Sequence, residues 1–153
     1  MNYILKLNKT PDVIAIAETK LTEGAIYTDI DISGYNFIHV NSISNAGGVG
    51  MYIKNSYSFH EIKEFDIKLD EVESIWIQIE SVDKKTPIVV GTIYGHPLYI
   101  VDKLLNFSQE VEETFQKLNA SKQEFYILGD FNTDLLQMHS NQYRLPEIMS
   151  IIS

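Results

Sequence analysis

The chain consists mostly of short apolar segments separated by turn-forming residues, and only one segment has the spacing of an amphipathic helix. The residues Leu104, Phe107, Val111, Phe115 and Leu118 recur every three or four positions and predict a helix over residues 99–118. The short segments predict β-strands at residues 13–17, 35–40, 49–53, 59–65, 74–79, 87–94 and 124–128. Strands therefore outnumber helices.

The strands follow one another as hairpins, with a turn at residues 45–48 for example, and do not alternate regularly with helices. This order favours an α+β fold, an α/β sandwich with mostly antiparallel sheets, over a doubly wound parallel sheet. The continuous apolar runs at residues 13–17 and 124–128 predict buried strands. The alternation in residues 59–65 and 74–79 predicts strands with one exposed face. Without a linker or repeat, residues 1–153 are expected to form a single domain.

Composition excludes several classes of function. The absence of cysteine excludes disulfides, thiolate nucleophiles and cysteine-ligated zinc. The net charge of −9, from 21 acidic and 12 basic residues, counts against a passive nucleic-acid binder that makes many phosphate contacts. No apolar run is long enough for a membrane span, and the first residues lack a signal-peptide cleavage site. We therefore expect a soluble intracellular protein, cytoplasmic or nuclear, with no membrane partner; its oligomeric state stays open.

Two apolar segments end in carboxylate residues. Residues 125–128 run into the motif GDFN, which sets Asp130 and Asn132 at positions i and i+2 where a strand leaves the core. The alternative interpretation is a simple turn, because Gly, Asp and Asn favour turns without any function. Glu18 follows residues 13–17 in the same way, and a solvated edge residue is the alternative there. If Glu18 and Asp130 converge, their repulsion favours a hard cation on oxygen ligands, Mg²⁺ before Zn²⁺.

Four segments, in order along the chain, resemble motifs of the endonuclease/exonuclease/phosphatase superfamily, whose fold is that of deoxyribonuclease I. They are DVIAIAETKL at residues 12–21, GGVGMYI at 47–53, VGTIYGHP at 90–97 and LGDFN at 128–132. The likeness is greatest to the endonuclease domain of non-LTR, LINE-type retrotransposons. It implies a four-layer-type α/β sandwich of two mostly antiparallel sheets flanked by helices.

The resemblance also implies roles for four residues. Glu18 matches the metal-binding glutamate of the family, and Asp130 is expected to share that metal, Mg²⁺ with Mn²⁺ as an alternative. Asp130 and Asn132 match the pair that orients the attacking water and the scissile phosphate. Tyr94 matches a tyrosine that helps to hold the phosphate. Without the resemblance, the sequence around Tyr94 would favour a core aromatic residue with its hydroxyl at the surface. The implied partner is DNA or another phosphodiester, with a reverse transcriptase domain in a full-length parent.

The sequence also departs from the family pattern. The family usually has an Asn on a first strand upstream of the Glu18 position and a closing Ser-Asp-His element, and the sequence shows neither. We therefore expect a domain that is truncated at both ends, and loss of activity stays an open alternative. His139 follows Asn132 too soon to be the closing histidine. His96 lies where the family more often has proline and has an open role, whereas His39 and His60 are expected to be ordinary surface or edge residues.

Two rival functions stay open at this stage. The first is a phosphatase of the same fold that acts on a small phosphoester, since the shared motifs specify only phosphate. The second is a non-catalytic remnant or interaction domain, which the missing terminal motifs favour and the intact central motifs oppose.

Overall fold

The computed structural model describes residues 10–24, 30–43, 46–80, 86–97 and 101–132. Within these ranges the chain forms seven strands and one helix. In chain order they are β1 (Val13–Ala17), β2 (Tyr35–Val40), β3 (Val49–Lys54), β4 (Phe59–Glu61), β5 (Val72–Ile79), β6 (Ile88–Gly95), α1 (Val101–Ser121) and β7 (Glu124–Asp130).

The strands form two sheets. The first sheet has the order β1-β3-β2 and is antiparallel throughout, and it contains the predicted β2–β3 hairpin. The second sheet has the order β4-β5-β6-β7 and is antiparallel except for the parallel pair β6–β7, which α1 connects. The predicted α+β fold with two mostly antiparallel sheets is confirmed.

Two hydrophobic clusters hold these layers together. The cluster between the sheets combines β3 with one face of β5 and β6, and its buried members include Met51, Ile77 and Tyr94. The cluster under the helix combines the other face of β5 and β6 with α1, and it includes Trp76 and Phe107. The second sheet is therefore covered on both faces, by the first sheet on one side and by α1 on the other.

The prediction that residues 74–79 expose one face is wrong. Six of the eight residues of β5 are buried, and the other two, Ser74 and Gln78, are half-buried. Ile75 and Ile77 pack between the sheets, whereas Trp76, which lies between Ser74 and Gln78 on the other face, packs under the helix. An alternating strand in the middle of a sandwich can therefore be buried on both faces.

The prediction that residues 13–17 and 124–128 are buried strands is also wrong. β1 and β7 are each the last strand of their sheet, so each has a neighbouring strand on one side in the described part of the chain. Alternate residues of β7 pack against the helix-side cluster, whereas Tyr126 and Leu128 on the other face are 53% and 44% exposed. Ile16 of β1 is 36% exposed. The apolar runs identify the strands but not their place in the sheet.

β4 is shorter than the predicted strand at residues 59–65. Phe59 packs against the cluster between the sheets, whereas Phe65 is buried in the cluster under the helix. An unbroken strand would direct both side chains to the same face, since they are six positions apart and side chains alternate with a period of two. The chain instead turns after Glu61, where the amide of Asp66 donates to the carbonyl of Lys63.

The predicted helix at residues 99–118 is observed at Val101–Ser121. The sequence also favours short helical segments at residues 2–8 and 145–152. These segments, the side chain of Leu104 and His139 all lie outside the described residues. Among the helical residues that are described, none forms a helix both long and apolar enough to cross a membrane.

Candidate active site

Glu18 lies in a tight turn at the end of β1. Glu18 and Lys20 both have positive φ, +54° and +55°. The turn is held because the amides of Thr19 and Lys20 donate to the carbonyls of Gly48 and Gly47, at 3.1 and 2.8 Å. A side chain at Gly48 would come within 2.5 Å of the Thr19 hydroxyl, so only glycine fits beside this turn. The exposed Glu18 carboxylate is thereby fixed at the rim of the first sheet.

Tyr94 connects the two sheets at this rim. Its ring, near the end of β6, is 1% exposed and packs between the sheets, and its hydroxyl donates to Glu18 Oε1 at 3.0 Å. The pKa of Tyr94 is raised to about 12, first by burial and then by the hydrogen bond to Glu18 and the charges of Glu18, Asp130 and Glu73. The hydroxyl therefore stays protonated near neutral pH and acts as a hydrogen-bond donor.

Asp130 and Asn132 lie at the end of the neighbouring strand. The parallel register of β6 and β7 pairs Tyr94 with Asp130. Since parallel strands end at the same edge of a sheet, both residues lie at this rim. The backbone N–H of Asn132 donates to Asp130 Oδ1 at 2.9 Å, and the side-chain Nδ2 of Asn132 donates to the Gly95 carbonyl at 3.1 Å. Both side chains belong to exposed residues. Gly129 and Asp130 thus still belong to β7, and the bond to Asp130 Oδ1 closes a short turn just after the strand. This turn places the Asn132 side-chain amide against the end of β6.

The four residues singled out in the sequence therefore lie around one rim of the sandwich. Glu18 bonds to Tyr94, Asp130 is beside Tyr94 in the register and adds to its raised pKa, and Asn132 bonds to the end of β6. In the part of the chain that the structure describes, no three or more His, Asp or Glu side chains are grouped closely enough to hold a metal ion. What the rim offers is a pair of carboxylates with an amide and a phenol.

A buried carboxylate beside this rim received no role from the sequence. Glu73, the second residue of β5, is 2% exposed, and its Oε1 is 3.0 Å from His96 Nε2 and accepts from the Ile43 amide at 3.1 Å. The His96 ring meets the Tyr94 ring edge to face at 5.1 Å. In the sequence, Glu73 is a single acidic residue near the start of an apolar strand, VESIWIQI. Such a pattern does not distinguish a buried glutamate from a solvated one at the end of a strand. His39 and His60 are exposed, as predicted.

Replacing Tyr94 with Phe is expected to remove a tyrosine that ionises at an unusually high pH on alkaline titration. Between pH 10, the ordinary value, and about 12 the folded state keeps a proton that the unfolded state releases, so the contribution of Tyr94 to the free energy of unfolding falls as pH rises through this window. The ultraviolet absorbance of tyrosinate measures this directly. The difference between wild type and variant should have its midpoint near pH 12, and a midpoint at the ordinary value would contradict the assigned environment.

Both the fold and the sequence match a known class of protein. Two stacked, mostly antiparallel sheets with carboxylate and amide residues at a common rim define an α+β protein of the deoxyribonuclease-I-like fold. The sequence matches the Endonuclease/Exonuclease/phosphatase family over residues 1–142, and the chain belongs to that family. A comparison with curated proteins found no match.

Solved structures share the fold at low identity. The catalytic domain of human Nocturnin with bound sulfate anion is 13% identical, with a TM-score of 0.55 over 94% of this chain and 61% of that one. D. rerio TDP2, humanized by 14 mutations, is 14% identical, with a TM-score of 0.58 over 87% of this chain and 54% of that one. The chain thus spans between half and two thirds of the length of these structures.

Proposed function

We propose that this chain carries the site of a Mg²⁺-dependent phosphodiester hydrolase, a DNA endonuclease of the retrotransposon type. The observation that carries the proposal is that carboxylates from both sheets border Tyr94, Glu18 through a hydrogen bond to its hydroxyl and Asp130 through the strand register. Glu18 comes from the first sheet and Asp130 from the second, and both act on Tyr94. Groups from distant parts of the chain that converge with a strongly raised pKa are typical of functional sites.

The donor groups at the rim fit a hard divalent cation. Glu18 and Asp130 supply only oxygen, and both belong to exposed residues, which leaves room for water on the ion. Mg²⁺ in proteins is commonly held by one or two carboxylates together with several waters and a substrate phosphate. A third protein carboxylate is therefore not required. When bound, the ion supplies charge that stabilises the phosphate in the transition state.

The remaining groups have roles that follow from their hydrogen-bonding capacity. Asp130 accepts a proton or orients a water for in-line attack on the phosphorus. Asn132 presents an amide beside it, held by its bond to the Gly95 carbonyl, and contacts a phosphate oxygen. Tyr94 stays protonated, so it does not act as a base; its one hydroxyl proton is donated to Glu18 and orients that carboxylate. The proposed site thus combines one base, one amide contact to the phosphate and one metal-binding carboxylate that a phenol holds in place.

The open position of the rim favours a polymer over a small phosphoester. Glu18, Asp130 and Asn132 are all exposed in the described part of the chain, so an extended DNA strand can reach them. The net charge of −9 means that DNA must be held largely through the cation and not through a basic surface. A reverse transcriptase in a longer parent protein belongs to the same proposal and rests on the motif resemblance.

Removing the metal should abolish the activity. With supercoiled plasmid as substrate, we expect the protein to produce nicked circles in Mg²⁺ and none in excess EDTA, and we expect added Mn²⁺ to restore nicking. Glu18→Gln, which keeps the size of the side chain and removes its charge, should reduce nicking at a given Mg²⁺ concentration. A small phosphoester assayed in parallel should be hydrolysed slowly or not at all.

Each rival function has its own outcome in this assay. Rapid hydrolysis of the small phosphoester with intact plasmid would favour the phosphatase. No turnover of either substrate, by a protein shown to be folded by its cooperative unfolding, would favour the non-catalytic remnant. Equal nicking in EDTA would remove the cation from the proposal.

A further inference from the structure

The buried carboxylate of Glu73 has no part in the roles assigned so far. Its side chain is 1% exposed, and among the described residues its Oε2 is buried without a hydrogen-bond partner. An ionisable group in such a position is costly to keep, since a carboxylate removed from water loses several kcal/mol of hydration unless partners replace it. Its retention beside Tyr94 therefore calls for a role.

Glu73 joins two segments that border the rim. Oε1 meets His96 Nε2 on the segment after β6 and the Ile43 amide in the loop before β3. A side chain at Gly47 would come within 2.8 Å of Oε1 and 2.9 Å of the His96 ring, so the loop packs directly onto this pair. The same loop supplies the Gly47 and Gly48 carbonyls that hold the turn of Glu18. One buried carboxylate thus lies between the loop that fixes Glu18 and the histidine that borders Tyr94.

The imidazole of His96 lies at the edge of the site and not in the core. Its side chain is 19% exposed, and its ring is in edge-to-face contact with Tyr94. With Nε2–H donated to Glu73 Oε1, the Nδ1–H of the protonated ring is the donor left to meet an anionic substrate. Three carboxylates, Glu18, Asp130 and Glu73, already act on Tyr94, so a nitrogen donor at this edge would offset their repulsion of an anionic phosphate.

We propose that His96 contacts the substrate phosphate and that Glu73 is a positioning residue, which orients the His96 ring through Nε2 and holds the adjoining loop through the Ile43 amide. This inference rests on the proposed function and adds two residues to the site. A carboxylate that accepts from one ring nitrogen restricts the orientation of the imidazole and favours its protonated form, in which both nitrogens donate. The ring is then ready for the phosphate before substrate arrives.

A double-mutant cycle on Mg²⁺-dependent nicking tests the relation between the two residues. His96→Ala should lower kcat about 100-fold, the effect of removing one donor to a developing charge. Glu73→Gln keeps the shape and an acceptor for the Ile43 amide, and it should lower kcat about 10-fold with a smaller change in KM. In the double variant Glu73→Gln should have no further effect, because Glu73 acts through His96. The exposed His60 of β4, at the opposite edge of the second sheet, gives the matched control His60→Ala, which should retain wild-type kcat.

A purely structural role would give a different result. Glu73→Gln would then lower kcat by the same factor in the presence and absence of His96, and the midpoint of thermal unfolding would fall with it. Either multiplicative effects or an unchanged kcat in His96→Ala would overturn the inference.

A measurement without turnover separates this inference from the proposed function. Dimethyl phosphate, a phosphodiester that carries no nucleic acid, is titrated into the wild type while the imidazole signals of His96 are followed by NMR. The signals should shift on titration in the wild type, and Glu73→Gln should change their starting position and reduce the shift. Signals that do not respond to dimethyl phosphate would contradict the inference even in an active enzyme. A clear response in a protein that cleaves neither plasmid nor phosphoester would instead refute the proposed function alone.

Discussion

Replacing Asp130 with Ala is expected to lower Mg²⁺-dependent nicking by at least about 100-fold, or about 2.7 kcal/mol at 1.36 kcal/mol for each tenfold. The loss follows from the position of Asp130, beside Tyr94 in the register and next to the turn that holds Asn132. Without this carboxylate Glu18 is the exposed acidic group that remains for the cation among the described residues of the rim, and the attacking water loses its proposed base. Initial rates on supercoiled plasmid at saturating Mg²⁺ measure the effect.

Two further variants separate charge from shape. Asp130→Asn keeps an acceptor for the Asn132 amide but removes the charge, so it should be about as inactive as Asp130→Ala while keeping the turn. Because the charge of Asp130 is one cause of the raised pKa of Tyr94, both variants should move that pKa towards its ordinary value. Glu80→Ala removes an exposed carboxylate at the other end of β5 and should leave the rate unchanged. Cleavage that survives in Asp130→Ala would refute the assigned site.

Replacing Gly129 with Ala is expected to damage both stability and site. Gly129 lies in β7 with φ +142°, a conformation that L side chains rarely adopt, and it pairs with Ile93. An added Cβ would lie 1.9 Å from the Ile93 carbonyl oxygen and within 3 Å of two more backbone atoms. The end of β7 must therefore move away from β6. Overpacking and backbone strain together predict a loss of about 3 kcal/mol in the free energy of unfolding, measured by denaturant titration.

Gly34→Ala is the matched control for backbone strain. Gly34 also has positive φ, +90°, but an added Cβ there would meet no atom within 4 Å. Its cost should be about 1 kcal/mol, from strain alone. Since Asp130 follows Gly129 directly, Gly129→Ala should also lower the nicking rate under conditions where the variant stays folded. Equal stability of the two variants would show that the contact with Ile93 is not restrictive.

Local patterns were sufficient to predict most of the elements. The strand at Tyr35–Val40 was predicted with its observed bounds, because its alternating residues are flanked by turn-forming residues on both sides. The helix was predicted within three residues at either end, since Phe107, Val111, Phe115 and Leu118 form one buried stripe. The strand-end positions of Glu18 and Asp130 were likewise evident, because each follows a short apolar run.

Features that depend on distant partners were not accessible in the same way. The apolar runs of β1 and β7 could not reveal that these are edge strands, since that depends on the order of strands in the sheet. The packing of Trp76 opposite Ile75 and Ile77 depends on which layer covers each face. The burial of Glu73 depends on the loop at Ile43 and Gly47, which is far from it in sequence. Sequence patterns identify polar residues, but they do not specify which layer covers them.

The parallel pairing of β6 with β7 couples the site to the local opening of one strand. Asp130 and Asn132 reach the rim only while β7 is docked beside β6, and β7 is an edge strand with two large apolar side chains exposed. Undocking of this strand would separate both residues from Glu18 in a single event and leave the rest of the sheet paired. The apparent affinity for the proposed cation is then the intrinsic affinity multiplied by the docked fraction, so conditions that loosen this strand should weaken metal binding before they unfold the protein.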